Sequence, residues 1–412
     1  MRVLPFIYLA YMFVFLYFLI FFLLIYVRNR KDLFSFEELG KHYGVSFVVP
    51  AYNEGETIGE ALKAIFDIDY DNIIEVIVVN DCSTDNTREV VEKFKKVYPK
   101  IKLINNEKNL GNAAGSQNVG LRNARGELIA VVDADSYPSG DCLKKMVGYF
   151  DDPRVGVVTA PVYVRNNDKF LERLQYIEYK TIGFSRRLLD YVDGVYVTPG
   201  PLAVYRKTAL DEIGGFDEKN LTQDIEATWS LAYYKWKRRM CLATQVTSTA
   251  PTKFKEWFSQ RRRWLLGGLQ CIKKHWKTML NPKTGMLGMF IVPFFILGTF
   301  LGSVGLGVFI YIFSTRIISN FLYTRYSITA NTPLVTLNDF YLTPSFLNYL
   351  GVLLFLFGLV FTFIILKVLK EKLLTKQRMF DLFFYVFVYN SLYPLILISS
   401  IWKLARGKME WK

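Results

Sequence analysis

Two aspartates, Asp133 and Asp135, follow a run of five apolar residues at positions 128–132. Such a run is typical of a strand that is buried on both faces, and alternation along a strand directs side chains i and i+2 to the same side. We therefore expect both carboxylates to point together from the carboxyl end of a parallel strand, where open α/β sheets bind their ligands. A carboxylate pair there suits Mg²⁺ that also carries phosphate oxygens. The alternative is an aspartate-rich turn after a core strand.

Two further groups of polar residues directly follow the predicted strands at 45–50 and 76–80: Pro50, Tyr52, Glu54, Asp81, Ser83 and Asp85. Asp81 falls at the end of its strand, on the side of the sheet where a nucleoside would bind. Ser83 and Asp85 have an equally good explanation as caps of the following helix, because serine and aspartate are favoured there.

Thr222 and Asp224 lie at the start of a helix predicted at 224–236. Asp224 either caps this helix or acts as the general base that deprotonates an acceptor hydroxyl.

The segment around Gln260 is basic and aromatic at once, which is typical of a helix in the membrane interface. Arg261 and Arg262 could meet lipid head groups. Arg263 stands beside Trp264; a guanidinium binds phosphate bidentately, and an indole face is a platform for sugar C–H groups.

The elements that must position these residues alternate between strand and helix over residues 45–246, with helices predicted at 56–66, 84–97 and 113–124. This alternation predicts an α/β domain with a mostly parallel, Rossmann-like sheet and right-handed connections.

Long charge-free segments flank that domain at 3–27, 286–314, 340–366 and 382–402. Each is long enough to cross the ~30 Å hydrocarbon core as a helix. Basic residues at 28–31 place the following domain in the cytoplasm. The predicted organisation is therefore a transmembrane helix (1–30), an α/β domain (31–250), amphipathic interface helices (251–283) and about three C-terminal spans (284–412).

Composition narrows the class of protein. The 412 residues carry a net charge of +14, which fits either nucleic acid or an anionic membrane, and the apolar segments favour the membrane. Two histidines and four scattered cysteines leave little for a zinc site or a histidine-based triad.

Five motifs stand in a fixed order: Pro-x-Tyr-Asn-Glu, Asn-Asp-x-Ser-x-Asp, Asp-Ala-Asp, Thr-x-Asp and Gln-x-x-Arg-Trp. In this order the sequence resembles the membrane-bound processive family 2 glycosyltransferases, which include cellulose, chitin, hyaluronan and poly-N-acetylglucosamine synthases. Residues 222–231 and 263–268 are most similar to the poly-N-acetylglucosamine synthases, whereas Gly200 and Pro201 are more similar to hyaluronan synthases.

The resemblance implies a GT-A fold and inverting transfer from a UDP-sugar, with UDP-N-acetylglucosamine expected, to a growing β-linked polysaccharide that crosses the membrane. It implies that Asp224 is the catalytic base and that Mg²⁺ or Mn²⁺ is held by Asp133 and Asp135. The implied donor-binding residues are Pro50, Tyr52, Glu54, Asp81, Asp133, Gln260, Arg263 and Trp264. The implied acceptor-binding residues are Trp264, Gly200, Pro201 and Thr222.

The same resemblance implies a multi-pass plasma-membrane protein with a cytoplasmic catalytic domain that contacts membrane lipids and no nucleic acid, and it leaves room for a small accessory membrane subunit. Two positions depart from the family pattern. Gln223 replaces the usual Glu before the base, and Asn112 stands where many processive members have a lysine near the phosphates. Two alternatives therefore stay open: transfer of a single sugar to a lipid acceptor, and an inactive membrane module that binds nucleotide-sugars or a partner.

Overall fold

The computed structural model describes residues 4–329, 346–371 and 375–406. Its strands are β1 Val45–Ala51, β2 Ile73–Asn80, β3 Ile101–Asn105, β4 Leu128–Val131, β5 Ser136–Pro138, β6 Val155–Thr159, β7 Val162–Val164, β8 Ala203–Arg206, β9 Lys237–Met240 and β10 Val246–Ser248. Its helices are α1 Leu4–Asn29, α2 Ile58–Phe66, α3 Thr87–Val97, α4 Ala113–Asn123, α5 Cys142–Met146, α6 Phe170–Asp190, α7 Lys207–Glu212, α8 Gln223–Tyr233, α9 Phe254–His275, α10 Val292–Thr329, α11 Phe346–Val368, α12 Lys376–Phe384 and α13 Tyr393–Ala405.

The main sheet has the strand order β3-β2-β1-β4-β8-β6-β9. In the described part of the chain, β8 is the one strand of this sheet that runs antiparallel to its neighbours. A second sheet, β5-β10-β7, adjoins it. The mostly parallel, Rossmann-like sheet predicted from the sequence is confirmed.

Both faces of the main sheet are covered, as the continuous apolar strands require. Along β1, Phe47 and Val49 pack into the core on one face and Val48 packs into the core on the other. The carboxyl ends of β1, β2 and β4 are therefore held at one edge of the sheet by packing on two sides.

Helix α6 is an element that the sequence analysis did not predict. Leu174 and Ile177 pack with the C-terminal membrane helices, and Phe184 and Leu188 pack with α1 and α11. The helix also buries charged side chains that ion pairs satisfy, and these interrupt the apolar pattern by which an amphipathic helix is recognised. It joins the α/β domain to the membrane segments.

Three helical segments of the described residues are long and apolar enough to cross a membrane: Pro5–Asn29, Leu287–Gly305 and Lys376–Leu404. The last combines α12, a π-helical turn at Tyr385–Tyr389 and α13. The span predicted at 340–366 corresponds to α11, of which Phe355–Val368 forms a shorter apolar helix, while residues 340–345 lie outside the described residues. Two of the about three predicted C-terminal spans thus correspond to long candidate spans in the described residues, and the number of spans stays a prediction.

Candidate active site

A cavity of about 920 Å³ opens at the carboxyl ends of β1, β2 and β4. The residues that the sequence analysis singled out for donor, acceptor, metal and base all line it: Pro50, Tyr52, Glu54, Asp81, Asp133, Asp135, Gly200, Pro201, Thr222, Asp224, Gln260, Arg263 and Trp264. The fold therefore brings together side chains that lie more than 200 positions apart in the sequence. Their individual roles remain predictions.

Asp133 and Asp135 leave β4 in a different way from that expected. The strand ends at Val131, so both aspartates lie in the turn before β5 rather than on the strand itself. Burial and the neighbouring Asp135 raise the pKa of Asp133 to about 8, and burial also raises the pKa of Asp135. Burial is thus the main electrostatic cost of ionising both carboxylates, and a bound divalent cation would offset it.

The donor set around this pair fits a hard cation that brings its own phosphate and water ligands. In the described residues, no three histidine, cysteine, aspartate or glutamate side chains cluster closely enough to hold a metal by themselves. Mg²⁺ is usually held by one or two carboxylates together with substrate phosphates, which Asp133 and Asp135 match. Gly200 packs closely against Asp133, because a Cβ atom at position 200 would lie only 2.7 Å from Asp133 Oδ2.

The loops after β1 and β2 are tied to each other. Asn53 and Cys82 have φ angles of 57° and 59°, in the left-handed region that costs a non-glycine residue energy. The Asn53 amide donates to Ser83 Oγ at 3.0 Å, and the Gly55 amide donates to Asp85 Oδ2 at 2.9 Å. Asp85 also accepts from the Thr87 amide at 3.0 Å, next to the start of α3, although the N-cap residue of that helix is Asn86.

Asp81 lines the cavity, and its carboxylate also holds a neighbouring loop in place by hydrogen bonds. Asp81 Oδ1 accepts from Asn106 Nδ2 at 2.7 Å and from the Leu110 amide at 3.0 Å. These bonds orient the loop that leads to Asn112, whose side chain accepts from the Gly115 amide at 2.9 Å and caps α4. Asn112 therefore has a structural reason to differ from the family's lysine.

Tyr52 and Glu54, in the loop after β1, also line the cavity. Burial raises the pKa of Glu54, against the hydrogen bond from Thr57 Oγ1 at 2.7 Å. Tyr52 is 44% exposed at the rim, so its ring is accessible for stacking.

Asp224 lies in the first turn of α8, where its Oδ1 accepts from the Ile225 amide at 3.0 Å. The capping position is occupied by Thr222 instead. Burial raises the pKa of Asp224, and the positive charge of Arg263 opposes that shift. Arg263 opposes the shift of Asp133 as well, so one guanidinium lies within electrostatic reach of both carboxylates.

The position of Arg261 contradicts the expectation from the sequence that this residue meets lipid head groups. Its side chain is fully buried and paired with Glu178, so it does not meet lipid head groups. It lies 4.1 Å from the centroid of the Trp264 ring and donates to the side chain of Gln260. The helix is thus a packed element that presents Gln260, Arg263 and Trp264 to the cavity.

The sequence analysis missed several cavity residues, among them Tyr179, Arg186 and Tyr196. Tyr179 and Arg186 belong to α6, which was not predicted. No motif surrounds Tyr196, so only the fold could have brought it to the site.

An open, mostly parallel α/β sheet with an acidic cavity at its carboxyl edge, attached to apolar helices, defines a GT-A fold with candidate membrane-spanning segments. Residues 46–214 match the family model described as glycosyl transferase family 2, so the chain contains a family 2 glycosyltransferase domain.

Relatives and a solved structure agree with this assignment. The poly-beta-1,6-N-acetyl-D-glucosamine synthase of Staphylococcus epidermidis is 30% identical over 254 residues, which cover 61% of this chain and 60% of the relative. The same-named protein of Staphylococcus aureus strain COL is 28% identical over 260 residues, 63% of this chain and 62% of the relative. The chain therefore spans less than two thirds of the length of these relatives.

One solved structure is similar to this protein over nearly the whole length of both chains. The mannosyltransferase PcManGT from Pyrobaculum calidifontis, solved with GDP-Man and Mn²⁺, superposes with a TM-score of 0.60 at 19% identity. The superposition covers 98% of this chain and 99% of that protein. At this identity the likeness establishes the GT-A fold and its attached helices.

Proposed function

We propose that the protein is an inverting hexosyltransferase that transfers N-acetylglucosamine from UDP-N-acetylglucosamine to the end of a growing β-linked polysaccharide. The observation that carries the proposal is the single cavity in which Asp133, Asp135, Asp224 and Arg263 meet beside the membrane helices. The names of the relatives support N-acetylglucosamine as the transferred sugar and a polymer as the product.

Asp224 is the base in this proposal. Inversion by direct displacement needs one group that takes the proton of the attacking hydroxyl on the face opposite the leaving group. Arg263 keeps part of the negative charge of Asp224 stabilised in a buried site, which favours the ionised form that accepts a proton. The same guanidinium would place positive charge where the leaving diphosphate becomes more negative.

Asp133 and Asp135 would hold Mg²⁺ or Mn²⁺, which when bound would neutralise charge on the diphosphate. Tyr52, Glu54 and Asp81 would contact the uridine, with Pro50 shaping the same loop. Gln260 and Trp264 would close the site over the donor and the acceptor end. Gly200, Pro201 and Thr222 would border the acceptor.

The position of the cavity supports a membrane-coupled product. Its lining includes Phe294 and Phe295 of α10 and Tyr393 of α13, which belong to candidate spans. Sugar chains are too polar to cross hydrocarbon unaided, so a polymer that begins here would leave through the helices. Basic residues at 28–31 favour a plasma-membrane protein with its catalytic domain in the cytoplasm.

The experiment is a donor panel with the purified chain in lipid nanodiscs. UDP release from UDP-N-acetylglucosamine, with Mg²⁺ or Mn²⁺ supplied, is the expected result, and release from other UDP-sugars but not this one would overturn the donor assignment. Turnover by the chain alone would also show that no accessory subunit is needed.

The product separates the polymer from the alternative of one sugar on a lipid. A labelled smear on a sizing gel that resists lipid extraction is expected. A single organic-soluble product would instead identify a lipid acceptor.

A further inference from the structure

Arg186 is a partly buried cation whose Nε atom is an unused donor at the cavity. It lies on α6 and lines the cavity, and within the described residues its buried Nε has no hydrogen-bond partner. The adjacent Arg187 shows the contrast: it pairs with Asp190 at 2.7 Å and donates to the carbonyl oxygens of Leu33 and Met240. Arg187 holds the fold together, whereas Arg186 has donor capacity left for a ligand.

Tyr196 takes up part of that capacity by a side-chain hydrogen bond, whereas Nε of Arg186 has no partner among the described residues. Burial lowers the pKa of Arg186, while Tyr196, Asp224 and Tyr179 oppose the shift. A buried donor that makes no hydrogen bond costs about 1–3 kcal/mol, so such a group in a cavity indicates a ligand that satisfies it.

Aromatic rings surround the same part of the cavity. The ring centroid of Tyr179 lies 6.3 Å from that of Trp264, and the ring of Tyr196 lies 5.0 Å from that of Phe295 in an edge-on arrangement. Apolar ring faces beside a planar donor suit a ligand with C–H surfaces and oxygen acceptors, which describes a pyranose.

This part of the cavity is formed by different elements from the loops after β1 and β2. Arg186 and Tyr179 come from α6, and Tyr196 contacts α10, the start of a candidate membrane span. Asp224 is within the electrostatic reach of Arg186, so a sugar bound here would have a hydroxyl near the proposed base.

We propose that Arg186, with Tyr179 and Tyr196, forms a subsite for the terminal sugar of the acceptor, in which Arg186 donates to a hydroxyl or amide oxygen of that sugar. The subsite holds the acceptor so that its attacking hydroxyl faces Asp224. This assignment rests on the proposed glycosyltransferase function and adds to it the residues that position the acceptor.

The test compares Arg186→Gln with wild type, using the full chain in nanodiscs and an N-acetylglucosamine oligosaccharide as the acceptor probe. Loss of a hydrogen bond from a charged donor predicts a rise of roughly 10- to 100-fold in the acceptor KM, with the donor KM nearly unchanged. Arg186→Lys keeps a cation and one donor direction and should recover part of the loss. Arg122→Gln, at an exposed position of α4, is the matched control and should leave both constants unchanged.

The outcomes distinguish a failure of the proposed subsite from a failure of the proposed glycosyltransferase function on which it rests. Thermal unfolding of Arg186→Gln near the wild-type temperature establishes that the variant is folded. An unchanged acceptor KM, or an equal loss in donor binding, would overturn the subsite. Competition by a lipid phosphate but not by the oligosaccharide would also overturn it, because the ligand would then be an anion. If wild type does not turn over any UDP-sugar, the proposed function fails, and quenching of tryptophan fluorescence by the oligosaccharide, lost in Arg186→Gln, still tests the subsite.

Discussion

Glu178 on α6 and Arg261 on α9 form a buried ion pair in which Arg261 Nη2 donates to Glu178 Oε2 at 2.5 Å. The same carboxylate accepts from Tyr389 Oη at 2.7 Å and from the hydroxyl of Tyr393. Because Arg261 also lies over the Trp264 ring, one glutamate connects the wall of the cavity to the last candidate membrane span. The position of Trp264 therefore depends on contacts made by the membrane segment.

Replacing Glu178 by Gln should be strongly destabilising. The substitution leaves Arg261 buried without a counter-charge, and breaking a buried pair in this way costs about 3–5 kcal/mol. Tryptophan fluorescence during thermal unfolding in detergent would measure the loss. We expect kcat to fall in the folded fraction as well, because Trp264 loses the guanidinium packed on it.

A double variant separates the charge effect from packing. Glu178→Leu combined with Arg261→Met removes both charges, and such replacements are often neutral or stabilising. The double variant should be more stable than Glu178→Gln. A double variant that loses as much stability as the single one would mean that packing, not the unpaired charge, dominates at this site.

Asp224→Asn should abolish transfer while leaving the site intact. Asparagine keeps an oxygen that can accept from the Ile225 amide, so the first turn of α8 is preserved. Loss of the base should lower kcat by about 10²–10⁴-fold, with UDP binding within twofold of wild type. Asp211→Asn, at an exposed position of α7, is the matched control. Substantial remaining turnover would show that another group takes the proton.

Asp135→Ala should uncouple UDP binding from metal. In wild type, chelation of Mg²⁺ or Mn²⁺ should weaken UDP binding, because Asp133 and Asp135 have the oxygen ligands that such a cation prefers. The variant should bind UDP weakly with or without metal, as measured by calorimetry in both conditions. Equal metal dependence in variant and wild type would place the cation elsewhere.

The sequence was sufficient to predict the sheet and the meeting of distant motifs. The strands at 45–51, 73–80 and 128–131 are mostly apolar, and their carboxyl ends share one edge in any parallel arrangement. This geometry explains why the sequence alone predicts that Glu54, Asp81 and Asp133 belong to one site.

Other features depend on tertiary contacts that a pattern does not contain. Helix α6 buries Glu178 and Arg187 through partners far along the chain, so its sequence lacks a clean apolar stripe. Arg261 lies in a basic and aromatic segment that is typical of the membrane interface. Its side chain is nevertheless fully buried, because Glu178 supplies the opposite charge. The subsite around Arg186 was missed for the same reason.

Gly267 and Gly268 of α9 provide a test of how closely α9 must approach α8. A Cβ atom on Gly267 would lie 1.9 Å from Thr222 Oγ1, whereas a Cβ on Gly268 would meet nothing within 4 Å in the described structure. Gly267→Ala should therefore force the two helices apart and cost about 1–3 kcal/mol, as overpacking does. Thr222 precedes Asp224 by two residues, so the shift should also move the proposed base away from the acceptor.

Gly268→Ala makes the same chemical change one residue further along the helix, where alanine is favoured over glycine by about 1 kcal/mol. It should leave activity unchanged and raise the unfolding temperature slightly. When the two variants are measured side by side, we expect kcat to fall in Gly267→Ala and to stay unchanged in Gly268→Ala. If both variants behave alike, helix propensity rather than the contact with Thr222 governs this part of α9, and close approach of α9 to α8 is not what positions Asp224.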